Sequence, residues 1–415
     1  MIELFCDRFG IGSRVREAAL AARARVEGAT YPAQRDVKAA VIGAFLDEGI
    51  AESDLAGSSG YGYDDAAREH YESLIARVFG AERALARLSI VSGTHAIVAS
   101  LAACVAPGQR LISVAGRPYD TLRNAICTAP DALVTTGIRY EEIALRDDGP
   151  DICAIVTAVR QDDARAVFVQ RSRGYAPRAS FDIAACARIV AAVKEAAPHV
   201  DVLVDNCYGE LVEAREPTHV GADLVMGSLI KNLGGSLAPA GGYVAGRADL
   251  VGKVATRLFA PGLGSALGPT LGFGRAFIQG LFLAPLIVEQ TLRGLDFTAA
   301  LFEELGFDVD PAPCARRTDI VQAIRLGDPE KLLRFARGLQ RAMPINARFA
   351  PEPGPVPGYV DPVVMSSGAF VGCATIELSC DAPLRPPFEV YVQGGIVTEH
   401  ALVGALLAAQ AVVGG

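Results

Sequence analysis

Residues 201–242, DVLVDNCYGELVEAREPTHVGADLVMGSLIKNLGGSLAPAGG, constrain the fold more than any other stretch. Val202-Leu203-Val204 is an apolar run ending on Asp205, the pattern of a buried strand with an acid at its carboxyl end. A second apolar run, residues 222–226, leads through Gly227-Ser228-Leu229-Ile230 to Lys231-Asn232 and a glycine-rich tail. Open α/β sheets bind their ligands outside the carboxyl ends of the strands. Asp205 and Lys231, 26 residues apart, are therefore expected to face one cleft.

An amine and a carboxylate in one cleft have a specific chemical use. Pyridoxal phosphate forms a Schiff base with a lysine and needs a carboxylate to keep its pyridine nitrogen protonated. In that reading Lys231 carries the cofactor and moves protons, and Asp205 keeps the ring an electron sink. Ser228, three residues before the lysine, places its hydroxyl on the cofactor phosphate. The same pattern also describes a strand-end acid capping a turn and a lysine in solvent, so the rest of the chain has to decide.

The flanking sequence repeats a strand–helix alternation. Residues 83–91 read as a strand, and Ser92-Gly93-Thr94-His95 opens a helix to Val105. Small residues at a helix start expose N–H groups to an anion, so Ser92, Gly93 and Thr94 are candidates for a phosphate cradle; an ordinary N-cap reads the same way. His95 is expected to be structural. Residues 110–114 read as a strand, and Tyr119 just beyond it is placed to stack on a flat cofactor. Residues 166–170 form another strand, ending at Arg171-Ser172-Arg173, whose arginines could clamp a carboxylate or form surface pairs. A helix over 182–196 leads back to the opening stretch. This alternation predicts an α/β fold with a mostly parallel sheet covered on both faces by helices.

At the front, residues 12–27 and 34–48 read as helices. The loop Gly57-Ser58-Ser59-Gly60-Tyr61-Gly62-Tyr63 then displays two tyrosines on a permissive backbone. Helices are expected over 249–259 and from Gly272 to about Leu305. Beyond residue 308 come a strand over 317–325, a helix over 329–343, a loop with five prolines between Pro351 and Pro362, a strand over 374–379 and a last helix from Val397. Arg385, in the proline-stiffened Pro383-Leu384-Arg385-Pro386-Pro387, is a further candidate for a substrate carboxylate. The expected division is an N-terminal helical segment over 1–55, a large α/β domain over 56–305 and a smaller C-terminal α+β domain over 306–415.

Composition sets limits. With 39 basic against 47 acidic side chains and no basic block, nucleic acid and anionic membrane are not expected partners. No apolar run approaches the roughly 18 residues of a membrane span, and the start lacks a signal layout, so a cytoplasmic protein is expected. Nine cysteines without a CxxC pair read as reduced, buried thiols, and no metal site is expected.

Together these stretches resemble the fold-type I pyridoxal phosphate enzymes of cysteine and methionine metabolism, and within them the methionine γ-lyase-like, or aluminium resistance, branch. The resemblance is carried by GSSGYGYDD (57–65), IVSGTHAI (90–97), RPYDTL (117–122), QRSRGY (170–175), VDNCYGE (204–210) and GADLVMGSLIKN (221–232). It continues through LAPAGGYVAG (237–246), QGLFLAP (279–285), RTDI (317–320), PGYVDPVVM (357–365), IELSCDAPLRPP (376–387) and VQGG (392–395). It implies Lys231 as the Schiff-base lysine, Asp205 as the pyridinium partner, Tyr119 as the stacking ring, and Gly93, Thr94 and Ser228 at the phosphate. Tyr61 and Tyr63 are then expected to reach the site of a neighbouring subunit, making a homodimer the minimal active unit and a homotetramer the expected assembly.

The chain also departs from the branch. Its tyrosine loop has no arginine, Leu233 stands where a proline is expected, and near Ser89 and Gly372, where glutamines are expected, the side chains are smaller. Cys373 and Cys380 replace an expected Gly and Ala. Smaller residues near the site imply a reshaped pocket. The expected activity is γ-elimination from an L-amino acid. A specialised biosynthetic loss of halide, such as 4-chloroallylglycine to propargylglycine, is slightly preferred over thiolate loss of the methionine γ-lyase or cystathionine type. An aminotransferase and a non-catalytic pyridoxal phosphate-binding stress protein are the rival classes.

Overall fold

The computed structural model describes residues 1–147 and 149–414. The chain divides into two compact units: Arg35–Pro285, and Met1–Gln34 together with Leu286–Gly415. The segment expected as residues 1–55 is thus shared between the units, and the long helix Gly274–Glu304 passes from one into the other at Pro285.

The larger unit is built on seven strands: β1 (Arg83–Arg87), β2 (Arg110–Ser113), β3 (Arg139–Glu142), β4 (Ala164–Gln170), β5 (Asp201–Asp205), β6 (Leu224–Ser228) and β7 (Gly242–Gly246). Their order is β1-β7-β6-β5-β4-β2-β3. β7 is antiparallel to both neighbours, and the remaining pairs are parallel. The alternation is therefore a mostly parallel sheet with one reversed strand. β5 and β6 are buried along their whole length, as near-continuous apolar runs must be when both faces are covered.

The helices that return the chain start where short polar side chains take up orphan N–H groups. Ser92, Asp151 and Asp182 accept from His95, Ala154 and Ala185 at 3.0, 3.0 and 2.7 Å. Helix Gly93–Cys104 then packs Ala96, Ile97 and Leu101 into a core with Leu203, Leu224, Met226 and Val244 of the sheet.

Register brings the chemistry to one edge. Gln170 lies beside Asp205, Asp205 beside Met226, and Ser228 ends β6 two residues later. The carboxyl ends of β4, β5 and β6 therefore form one ledge, with the N-terminus of helix Gly93–Cys104 against it.

The smaller unit carries an antiparallel sheet of β8 (Asp308–Asp310), β9 (Val321–Arg325), β10 (Val363–Ser367), β11 (Ser379–Pro383) and β12 (Glu389–Gln393), in the order β10-β11-β12-β9-β8. Helices Pro329–Gln340 and Thr398–Val413 pack on each other at Gly338, where an added Cβ would stand 2.6 Å from the Leu407 carbonyl. Helices Ile2–Phe9 and Ser13–Val26 belong to this unit, and the Gly12 N–H donates to Gln410 Oε1 at 2.8 Å.

Several expectations are corrected. The strand expected over 374–379 is a series of turns, and the strand starts only at Ser379. The cause is Glu377, whose carboxylate takes the N–H groups of Phe370 and Val371 at 2.8 and 3.1 Å and folds the segment back on itself. The strand expected from residue 317 begins at Val321, because Arg317 is drawn into a buried ion pair with Asp296 at 2.7 Å. An additional helix, Ile2–Phe9, precedes the two that were expected and closes on Gly10 in the left-handed conformation. All nine cysteines are free, but Cys153, Cys314 and Cys373 are exposed rather than buried. Among the described residues, no helix is long and apolar enough to cross a membrane.

Candidate active site

Lys231 follows β6 after a short turn, and its ammonium stands 3.5 Å from the ring centroid of Tyr208. Burial works against the charge, but Tyr208, Cys207 and Glu210 outweigh it and hold the ammonium's pKa above the usual lysine range. The amine thus sits in a built environment, unlike a lysine reaching into solvent.

Asp205 ends β5, is 4% exposed, and accepts the N–H of Cys207 at 3.1 Å. Burial raises its carboxyl pKa, and the Cys207 hydrogen bonds, Lys231 and Arg178 pull it back. Arg178 is itself fixed by the Gln170 and Ser172 carbonyls at 2.9 and 2.6 Å. Lys231 and Asp205 are thus within one electrostatic neighbourhood, as their strand-end positions imply.

Gly93 closes the cradle. A Cβ there would stand 3.2 Å from Cys207 Sγ and 3.2 Å from Ser228 Cβ, so the absent side chain lets the helix N-terminus press on both strand ends. Thr94 Oγ1 and the Tyr119 hydroxyl are hydrogen-bonded at 2.9 Å, and the Tyr119 N–H donates to Gln170 Oε1 at 3.0 Å. Ser92 Oγ is engaged as the helix cap, and His95 Nδ1 accepts the Val91 N–H at 3.3 Å, a structural role as expected. Lys231, Asp205, Gly93, Thr94, Tyr119 and Ser228 are therefore joined in one set. An amine, a buried carboxylate, three hydroxyls and a glycine-opened helix start make a donor set that fits pyridoxal phosphate.

Residues 16–413 match the methionine gamma-lyase family. The chain belongs to that family.

Its members use pyridoxal phosphate, and the chain is a pyridoxal phosphate-dependent lyase of the fold type that the sheet order implies. Protein YnbB of Bacillus subtilis is 42% identical over 364 residues, 87% of this chain and 86% of that protein. The crystal structure of a carbon-sulfur lyase involved in aluminum resistance from Clostridium novyi NT superposes with a TM-score of 0.94 at 38% identity, covering 99% of each chain. Apo CalE6, a methionine gamma lyase from Micromonospora echinospora, shares the fold alone: TM-score 0.55 at 18% identity, over 83% of this chain and 87% of that one.

The arginines expected at a substrate carboxylate divide. Arg171 is corrected to a structural residue. It is fully buried, with Nε on the Phe181 carbonyl at 3.2 Å, Nη1 on Asn206 Oδ1 and the Gly209 carbonyl at 2.8 and 2.9 Å, and Nη2 on Glu213 Oε2 at 2.7 Å. Arg173 is also buried, with Nε 3.4 Å from the Ala176 carbonyl. Arg385, in the smaller unit, lies 3.4 Å from the Asp361 carboxylate and is partly exposed.

Tyr61 and Tyr63 are 75% and 58% exposed, with ring centroids 6.1 Å apart. Their loop is anchored rather than loose: Asp65 Oδ2 takes the N–H groups of Ser58 and Thr270 at 2.9 and 2.8 Å and their hydroxyls at 2.5 and 2.9 Å.

Sequence reasoning passed over Cys207, Tyr208, Glu210 and Asn232. All lie within or beside the stretches that carried the resemblance. Glu210 is buried, receives the Tyr243 hydroxyl at 2.9 Å, and has its carboxyl pKa pushed up to about 8 by burial, with Glu216 adding.

Proposed function

We propose that the chain catalyses γ-elimination, expelling a thiolate from Cγ of an L-amino acid, with the residues around Lys231 holding the cofactor. The observation that carries this reading is the joined set of Lys231, Asp205 and the Gly93 cradle in a member of the methionine gamma-lyase family. The carbon-sulfur lyase relative supports sulfur as the leaving atom over halide.

In this reading Lys231 holds the cofactor aldehyde, Asp205 the ring nitrogen, and Gly93, Thr94 and Ser228 the phosphate, with Ser92 at the helix start. When bound, pyridoxal phosphate supplies an electron sink for the pair left at Cα. Lys231 Nζ, on a flexible four-carbon stem, would take the Cα proton, release it to solvent, and as the neutral amine take one from Cβ, which drives out the Cγ substituent. Asp205, a buried carboxylate of raised basicity, keeps a proton on the ring nitrogen. Tyr119 would stack on the ring when the cofactor is bound, and its hydroxyl, hydrogen-bonded to Thr94, would be the acid for the leaving group. Arg385 and Arg173 are the candidates for the substrate carboxylate; the variant whose KM rises identifies the partner. Tyr61 and Tyr63, exposed on a single chain, complete the site of a second copy in a homodimer that pairs into a homotetramer.

The test is product analysis. The holoenzyme is given methionine, cystathionine, homocysteine and γ-halo amino acids, and thiol, halide, ammonia and keto acid are followed. Expected from cystathionine are cysteine, ammonia and 2-oxobutyrate in equal amounts. Homocysteine with pyruvate would move the bond broken to Cβ. Halide release with the amino group retained, and no thiol from any substrate, would make carbon–halogen cleavage the reaction. A keto acid without leaving-group release would mean aminotransfer.

A further inference from the structure

Resting on the reading of Lys231 as the cofactor lysine, we propose that the face of the Tyr208 ring is the seat that holds the Lys231 ammonium whenever that amine is free of the cofactor, and that Asn232 and Arg171 brace the seat.

The geometry is specific. Lys231 Nζ lies 3.5 Å from the ring centroid, well inside the range in which an ammonium is attracted by an aromatic face. Tyr208 reaches this place through a backbone φ of 71°, the left-handed region that a bulky side chain rarely adopts. Such conformations persist only where surrounding structure enforces them, and they cluster at functional sites. Here the enforcement comes from two sides. Asn232, next to the lysine and buried, donates from Nδ2 to the carbonyls of Tyr208 and Glu210 at 3.1 and 2.7 Å. Behind the turn, a Cβ at Gly209 would stand 2.5 Å from Arg171 Nη1, so the backbone is pressed onto a fixed guanidinium. Lysine and ring are thus tied by the residue adjoining the lysine itself.

The chemistry needs such a seat. A lysine that gives up its bond to the cofactor must stay close and take a proton from the substrate. An aromatic face stabilises the resulting ammonium but has no lone pair to remove its proton, unlike a carboxylate. The seat therefore makes the free amine a stronger base and, by the same interaction, slows its return to the neutral form that joins the cofactor. A role confined to shape predicts no such opposed pair of effects.

The experiment measures both on wild type, Tyr208→Phe and Tyr208→Leu. The first readout is exchange of the Cα hydrogen of norvaline, which lacks a γ leaving group, in deuterated water by NMR. The second is the pH dependence of the rate at which apoprotein attaches pyridoxal phosphate, followed by absorbance. The expected result for Leu is exchange slowed roughly 2- to 30-fold and cofactor attachment faster at neutral pH, with Phe close to wild type on both. Tyr208→pentafluorophenylalanine keeps the shape and reverses the ring's charge distribution, so it must behave as Leu does; it decides the matter if the Leu protein fails to fold. Exchange and attachment unchanged in Leu and in the fluorinated variant would overturn the seat, as would a Phe protein as slow as Leu, which would move the role to the phenol. If the wild type itself neither exchanges the Cα hydrogen nor attaches cofactor at Lys231, the functional reading has failed; with both intact and the variants matching, only the seat has.

Discussion

Replacing Arg171 by alanine separates structure from substrate binding. The guanidinium is fully buried and serves the Phe181 and Gly209 carbonyls, Asn206 and Glu213, with Glu216 Oε2 at 3.8 Å. Burial opposes its charge, but Glu216 and Glu213 outweigh it and raise its pKa. Without Arg171, both glutamates are left buried without their counter-charge. Breaking a buried pair costs about 3–5 kcal/mol, and each carbonyl left short of a donor adds about 1 kcal/mol. A loss of about 5–7 kcal/mol is a large part of the roughly 5–15 kcal/mol that stabilises a typical domain. The assay is urea unfolding of the apoprotein at several pH values. Burial already raises the Glu216 carboxyl above its ordinary 4.5, and loss of Arg171, the main influence holding it down, raises it further. Protonation of Glu216 stabilises the folded variant below that value, and the benefit is lost as pH rises. The deficit must therefore shrink towards pH 4 and be full at pH 7. Arg171→Lys, which keeps the charge but not the fork, is expected to lose about 2 kcal/mol. An R171A protein with the wild-type midpoint and only a raised KM would refute the reasoning and return Arg171 to the substrate.

Three further results are expected. Gly93→Ala overfills the contact with Cys207 and Ser228, both 3.2 Å from the new Cβ; overpacking of about 1–3 kcal/mol predicts cofactor affinity roughly 5- to 150-fold weaker by equilibrium titration. Glu210→Gln removes a carboxyl pushed up to about 8 from 4.5. Its stabilisation is complete below 4.5 and lost as pH rises through 8, so apo wild type should weaken relative to the variant across that window, by at most about 5 kcal/mol. Asp205→Asn leaves no anion for the ring nitrogen, and kcat should fall roughly 10²–10³-fold while cofactor still attaches, measured by steady-state kinetics beside absorbance.

The ledge was legible because apolar runs ending in an acid or leading to a lysine leave few alternatives at the carboxyl edge of a parallel sheet. Gly93 and Thr94 were legible as a helix start, and Tyr119 by its place beyond β2. β7 was not: no element is expected over the glycine-rich GGYVAG, yet glycine is required, since a Cβ at Gly246 would stand 2.2 Å from the Asp223 carbonyl. Arg171 misled because sequence displays a charge without its surroundings, and its partner Glu213 lies 42 residues on. Tyr208 was missed for a related reason: its left-handed backbone is imposed by Asn232 and the packed turn, and neither propensity nor spacing encodes it.

The most direct measurement reduces the holoprotein with borohydride, digests it, and locates the pyridoxyl group by mass spectrometry. The label must fall on the peptide carrying Lys231, and Lys231→Ala must leave the protein folded but unlabelled. A label on another lysine, or covalent cofactor retained by the K231A protein, would contradict the account.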